Sequence, residues 1–175
     1  MMQNRGGGIF MRTISAALVA LLLIPAFTST PGAQGHERAM GVWVLNVEKS
    51  TMQPGPKPKL QSSTFTQLPD GSVKIETDVT DASGQTGHRE MVSRFDGKQE
   101  ARSGAPQPST RAYRWLDEVN FEFEEMISGQ RSVIGRTTTS KDGKVRTLTV
   151  NGMRNGQPVH NVEVYERQST SGTPR

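Results

Sequence analysis

Apolar and polar residues alternate with a period of two along most of the chain from His36 onward. The clearest case is the segment 72–80, in which valine, isoleucine and threonine alternate with lysine and acidic residues. That pattern is typical of a β-strand with one buried and one solvated face. Because a helical period is hard to find and the runs are rich in β-branched and aromatic residues, the sequence predicts an all-β domain.

Short turn signals separate the strand-like runs. Asp-Gly and Asn-Gly pairs tolerate the positive φ angles of tight hairpins, and they occur at residues 70–71, 96–97, 142–143, 151–152 and 155–156. The runs between the turn signals predict nine or ten strands. The predicted strands cover residues 42–47, 60–68, 72–80, 88–95, 98–102, 111–116, 120–127, 131–139, 144–150 and 161–167.

Almost all connections have the length of hairpins, so strands that follow one another along the chain should pair. Two proline-rich loops interrupt the series at residues 51–59 and 103–110, and the prolines of the first loop are expected to keep it unpaired. The pattern predicts one domain over residues 36–168, an all-β, antiparallel up-and-down β-barrel of about 8–10 strands. A two-sheet sandwich is the competing architecture.

The first 35 residues have the pattern of a secretory signal peptide. Arg12 supplies the positive charge, residues 14–27 are largely apolar, and small residues follow. Cleavage is predicted after Gly35, with Ala33 as the alternative position, and Met11 is a possible true start of the protein.

The apolar run of the leader is shorter than the ~20 residues that a membrane-spanning helix needs, and a proline interrupts it. The mature protein is therefore expected to be periplasmic or secreted, with no stable membrane span. Residues 169–175 are expected to form a disordered tail.

Composition narrows the classes of partner. The whole chain has 21 lysine and arginine residues against 17 acidic residues, and loss of the leader removes two arginines, which leaves 19 against 17. The charges are interspersed along the sequence, so no nucleic-acid partner is expected. The absence of cysteine excludes disulfides and thiolate metal sites.

No group of residues has the spacing of a catalytic or cofactor-binding motif. His36, His88 and His160 lie at the expected new N-terminus and at strand starts, where solvated histidines are common, and they lack metal-ligand spacing. Glu122 and Glu124 alternate with phenylalanines, as on the solvated face of a strand. The sequence therefore predicts no enzyme, no metal and no cofactor.

One predicted strand carries large side chains that each end in or contain a polar group. Arg111, Tyr113 and Trp115 share one face of it. If that face points into a barrel, the two aromatic residues line a pocket and Arg111 lies near its mouth. The alternative is a packed core in which Arg111 extends its guanidinium to solvent.

Two short motifs bracket the domain. Gly41-Val42-Trp43 opens the first strand, and Val164-Tyr165-Glu166-Arg167 closes the last. On these motifs and its strand number the chain resembles the calycin superfamily, which comprises lipocalins and fatty-acid-binding proteins. The resemblance implies a lipocalin-like barrel that binds a ligand in its lumen.

The resemblance also implies roles for particular residues. Arg167 is expected to stack on the indole of Trp43 and to close the barrel floor, because first and last strands are neighbours in a closed barrel. Tyr165 is expected to contact the ligand. Fatty-acid-binding proteins have an arginine two residues before this tyrosine, where the present chain has Glu163, so their mode of binding a carboxylate is not expected here.

Two functions follow from these patterns. The first is an exported lipocalin-like barrel that binds a small, largely apolar ligand through Arg111, Tyr113, Trp115 and Tyr165. The alternative is a filled barrel that serves as a structural or protein-interaction domain without a small-molecule ligand. A connected cavity of ~300 Å³ or more that Tyr113 or Tyr165 lines would favour the first. The sequence gives no indication of oligomeric state.

Overall fold

A computed structural model describes residues 36–169, so the predicted leader and all but the first residue of the predicted tail lie outside the described residues. A short 3-10 helix at Glu37–Ala39 precedes eleven strands. The strands are β1 Gly41–Leu45, β2 Thr51–Gln53, β3 Leu60–Gln67, β4 Val73–Thr80, β5 Thr86–Ser93, β6 Asp96–Ala101, β7 Ser109–Trp115, β8 Phe121–Ile127, β9 Gln130–Thr139, β10 Val145–Arg154 and β11 Gln157–Arg167.

Ten of these strands form one antiparallel sheet that curls into a nearly closed barrel, which confirms the predicted fold class. The order of strands is β5-β4-β3-β1-β11-β10-β9-β8-β7-β6. First and last strands pair directly, with Trp43 opposite Arg167. At the two ends of the sheet, β5 meets the loop that follows β6 through a bridge between Glu90 and Ser103.

The first proline-rich loop is not wholly unpaired. Its first three residues form β2, which pairs with β11 so that Met52 lies opposite Asn161. The prediction failed because the prolines of this loop begin at Pro54, and the three residues before it keep their backbone donors. The Asn161 side chain also accepts a hydrogen bond from the Gln53 amide, at 3.1 Å.

The last hairpin is longer than predicted. Strand β10 continues to Arg154, and the chain turns at Asn155-Gly156, where both residues have positive φ. The earlier pair Asn151-Gly152 lies within the strand. A Cβ at Gly152 would lie 2.1 Å from the Ser132 carbonyl oxygen, so glycine is needed there for close approach of β9 and does not mark a turn.

The core lies inside the barrel. The composition of the core follows from the alternation of residues along each strand, because the inward face of each strand supplies aliphatic or aromatic side chains. Among the described residues, no helix is long and apolar enough to cross a membrane. The buried hydrophobic residues of the interior are Trp43, Leu45, Phe65, Val73, Ile75, Met91, Phe95, Tyr113, Phe121, Phe123, Val133, Val150, Val159 and Tyr165.

The 3-10 helix covers one end of the barrel, which we call the floor. Ala39 at its end is fully buried. The Ala39 carbonyl oxygen accepts hydrogen bonds from the Trp43 indole nitrogen at 3.2 Å and from the Arg146 guanidinium at 2.9 Å. We call the opposite end, where the β10–β11 turn and residues 105–107 lie, the mouth.

Candidate functional site

A cavity of about 370 Å³ lies inside the barrel. It extends from Trp43, Phe65 and Phe121 near the floor to residues 105–107 and Asn155 at the mouth. Tyr113 and Tyr165 both line it. The interior of the barrel is therefore not completely filled by its own side chains.

Two guanidinium groups lie over the first-strand tryptophan. The Arg167 guanidinium carbon is 5.4 Å from the Trp43 ring, and its Nη2 donates to the Met40 carbonyl oxygen. The Arg146 guanidinium carbon is closer, at 3.9 Å, and Arg146 also lines the cavity. The sequence predicted a contact between Trp43 and Arg167 but not the contact between Trp43 and Arg146. Arg146 is nevertheless in phase with Leu148 and Val150 on β10.

Trp115 belongs to a group of stacked rings beside the floor. Its ring lies 4.1 Å from that of Phe95 and 3.8 Å from that of His36, nearly parallel to both. Trp115 is not one of the described residues that line the cavity. His36 was expected at an unstructured terminus; instead it is held by this stacking and by a contact of 3.1 Å between its Nδ1 and the Glu118 carbonyl oxygen.

Glu125 is the centre of a buried ionic group. Its side chain is 3% exposed. Its Oε2 accepts hydrogen bonds from Arg111 at 2.7 Å and from Arg102 at 3.0 Å, and its Oε1 accepts one from Arg154 at 2.9 Å. Arg111 was expected near the mouth of a pocket or, in a packed core, extended to solvent, and it lines the cavity. It points inward because Glu125, on the next strand, attracts it, and it also donates to the Tyr113 hydroxyl at 3.1 Å.

The sequence does contain a signal for this ionic group. Glu125 is in phase with Phe121 and Phe123 along β8, so a strand that buries these rings also buries the carboxylate. Glu122 and Glu124 alternate with these rings and point to the other face of the strand. Glu122 is bound by Arg136 at 2.8 Å and by Arg114 on the outer face.

Burial and charge act against each other at Glu125. Burial alone would raise its pKa, but the fields of Arg111, Arg154 and Arg102 outweigh burial and hold the pKa below its usual value. Burial, helped by the charge of Arg111, lowers the pKa of Arg102 to about 10, so this side chain stays charged at neutral pH.

The arginines outnumber the acids that face the cavity. The guanidinium cluster, as we call Arg89, Arg102, Arg111 and Arg154, surrounds a single carboxylate at Glu125. Among the described residues, the cavity is lined by five arginines, those four and Arg146, and by two glutamates. Its interior is therefore positively charged, which attracts anions.

Glu163 and Tyr165 form a second polar group in the cavity. The Tyr165 hydroxyl donates to Glu163 at 2.7 Å and accepts a hydrogen bond from Gln61 at 2.5 Å. Asn161 donates to the other oxygen of Glu163 at 3.1 Å. Burial, and then the charge of Glu163, raise the pKa of Tyr165 well above its ordinary value, so the hydroxyl remains a donor at neutral pH.

The outer face of β4 and β5 brings Glu76, His88 and Glu90 close enough to ligate a metal ion. Lys74 already pairs with both carboxylates, at 2.8 and 3.4 Å. His88 is exposed, and its hydrogen bond to Asp78, at 2.7 Å, raises its pKa. Ion pairing on a solvated strand face accounts for this group.

The comparisons with known proteins gave no family. No protein-family model matches the chain. No curated protein matches it either. The geometry of the cavity is therefore the basis for a functional interpretation.

Proposed function

We propose that this protein is an exported, calycin-like barrel that binds a small amphipathic anion in its lumen. The observation that carries the proposal is the cavity of about 370 Å³, which combines aromatic side chains with the guanidinium cluster. Ligand pockets of this kind are mostly pre-formed, and a few well-placed polar groups orient the ligand. Support for a calycin-like barrel comes from the pairing of Trp43 and Arg167 across the first and last strands.

The charge of the lining selects the class of ligand. A wholly apolar molecule would remove water from the guanidinium cluster without replacing the lost hydrogen bonds, which is costly. An anionic group placed against the guanidinium cluster gains charge-assisted hydrogen bonds. The apolar part of the same molecule then contacts Phe65, Phe123 and Leu148 deeper in the cavity. The expected small, largely apolar ligand thus becomes a small molecule with an acidic group.

The test is a binding titration with decanoate on the chain from His36 to Arg175. Calorimetry measures the affinity of this chain and of the variant Arg154→Met, whose side chain makes one contact with Glu125 and is 43% exposed. We expect decanoate to bind, and the variant to bind about tenfold more weakly, because one charge-assisted contact is lost.

Arg131→Met is the matched control, because Arg131 lies on the outer face with a side chain that is 68% exposed. It should leave the affinity for decanoate unchanged. Absence of binding to the unmodified chain, or equal losses in the two variants, would contradict a lumen site.

A further inference from the structure

Within the part of the chain that the structure describes, Arg146 is a buried cation without a counter-ion. It is 2% exposed, and its one hydrogen bond, from Nη2, goes to the Ala39 carbonyl oxygen at 2.9 Å. Its Nε and Nη1 have no hydrogen-bond partner among residues 36–169. Leaving a buried guanidinium unpaired is one of the more costly arrangements in a protein interior.

The aromatic rings of the floor satisfy only part of this group. The guanidinium carbon lies 3.9 Å from the Trp43 ring, 5.0 Å from Phe65 and 5.2 Å from Phe121. These contacts stabilise the charge through the ring faces. The N–H donors lie in the plane of the guanidinium, and stacking leaves them without acceptors. Burial and the nearby charge of Arg167 lower the pKa of Arg146 to about 9, so it is still charged at neutral pH.

Arg146 and the guanidinium cluster lie at different depths of the same cavity. Arg146 is beside Phe121, at the start of β8, whereas the cluster binds Glu125, four residues further along that strand. Four residues of an extended strand span about 13 Å. The cavity that both arginine sites line therefore has a cationic group near each end.

We propose that Arg146 binds a second acidic group of the ligand at the floor, and that the ligand is an elongated apolar molecule with a carboxylate at each end. This inference rests on the proposed lumen function and specifies its ligand. One carboxylate meets the guanidinium cluster, and the other pairs with the charge of Arg146, which lines the cavity and has no acidic partner among residues 36–169. A saturated dicarboxylate of about ten carbons is comparable in length to the ~13 Å of strand between Phe121 and Glu125.

Two probes of equal length separate this inference from the proposed function. Decanedioate and decanoate differ only in the second carboxylate. Calorimetry on the chain from His36 to Arg175 should give at least tenfold tighter binding for decanedioate. In Arg146→Met that preference for decanedioate over decanoate should disappear, and Arg146→Lys should restore part of it.

The outcomes distinguish the two ideas. If decanoate binds and decanedioate binds no more tightly, or if Arg146→Met weakens both probes equally, the role of Arg146 is overturned and the lumen function stands. If neither probe binds the unmodified chain, both fall. The Nε–H signal of Arg146 in nuclear magnetic resonance spectra gives a test without any substitution. The chemical shift of this signal should change with decanedioate and stay constant with decanoate. A chemical shift that stays constant with both ligands would overturn the proposal, and this result does not depend on whether Arg146→Met folds.

Discussion

At the scale of single residues, Glu125 determines the charge distribution of the interior. Three arginines from three parts of the chain converge on its two oxygens, at 2.7 to 3.0 Å. A buried carboxylate in this position neutralises only part of the surrounding charge, and its removal would leave several guanidinium groups next to one another without compensation. The acid that binds these arginines thus also holds a surplus of positive charge inside the barrel.

The variant Glu125→Gln should lower the free energy of unfolding by about 3–5 kcal/mol at neutral pH, because it leaves buried cations unpaired. Urea unfolding followed by circular dichroism measures this loss. The neighbouring variant Glu124→Gln is the control: Glu124 pairs with Arg131 on the outer face, and its loss should cost less than about 1 kcal/mol. Equal losses in the two variants would show that the buried ionic group contributes no more than a surface pair.

The loss of stability in Glu125→Gln should depend on pH. The arginines depress the pKa of Glu125 in the folded state. Its stabilising contribution is therefore fully present above the unfolded value, about 4.3, and is lost as the pH falls through the lower folded value. The difference in stability between the unmodified chain and Glu125→Gln should accordingly shrink below about pH 4. A difference that stays constant into acid would contradict the ionic origin of the effect.

Residue identity and strand phase together predict part of this site. Tyr113, Tyr165 and Arg111 could be placed on an inward face from alternation alone. Glu125 and Arg146 are also in phase with apolar residues of their strands, but charged residues are normally assigned to the solvated face. The period of two gives their face, but it does not reveal the partners elsewhere in the chain that stabilise a buried charge.

At the scale of elements, β8 and β9 fit together through a glycine. Gly135 lies opposite Phe123 in the register of these strands. A Cβ at Gly135 would lie 2.3 Å from the Phe123 ring. The ring is buried, and the Arg111 guanidinium stacks on it at 4.1 Å, so it has little freedom to move aside. The missing side chain of one strand thus makes room for the aromatic ring of the next.

Gly135→Ala should therefore lower the free energy of unfolding by about 1–3 kcal/mol, as overpacking of a close contact does. Thermal denaturation followed by circular dichroism measures the effect as a lower Tm. Ile134→Val on the same strand is the control, since Ile134 is 45% exposed and its change should cost no more than about 0.5 kcal/mol. An unchanged Tm in Gly135→Ala would show that the Phe123 ring moves freely.

The elements themselves were largely predictable from the sequence. Ten predicted strands correspond to ten observed strands, because alternation and turn dipeptides are local signals. The prediction missed β2, which forms only because β11 offers it a partner, and it read Asn151-Gly152 as a turn. Both errors concern residues whose structure is set by neighbouring strands.

At the scale of the whole molecule, a short N-terminal segment completes the barrel. Residues 36–40 supply the Ala39 oxygen for Trp43 and Arg146, the Met40 oxygen for Arg167 and the His36 ring for Trp115. Each of these groups would otherwise be left with a buried donor or an uncovered ring. The residues that close the floor are therefore those that follow the predicted cleavage position directly.

A chain that begins at Gly41 should be less stable than one that begins at His36 by at least about 2 kcal/mol, because buried donors of Trp43 and Arg146 lose their acceptor. Urea unfolding of the two purified chains measures the difference. His36→Ala in the longer chain is the comparison: it removes one stacked ring and keeps the Ala39 oxygen, so its loss should be smaller. If the two chains unfold at the same urea concentration, the segment contributes nothing to the floor.

The contact between β5 and the loop that follows β6, which we call the joint, affects how large a ligand the barrel can hold. A cylinder in which every pair of neighbouring strands is fully hydrogen-bonded has a fixed circumference. Here one joint depends on two backbone hydrogen bonds between Glu90 and Ser103, at 3.0 and 3.3 Å. Beside it Gly104, with positive φ, lets the loop pack against the backbone of His88. Opening this joint would break these two hydrogen bonds and the contact of 3.4 Å from the Ser103 hydroxyl to the Glu90 carbonyl oxygen, while every other ladder stays intact, so we expect the barrel to widen at this side.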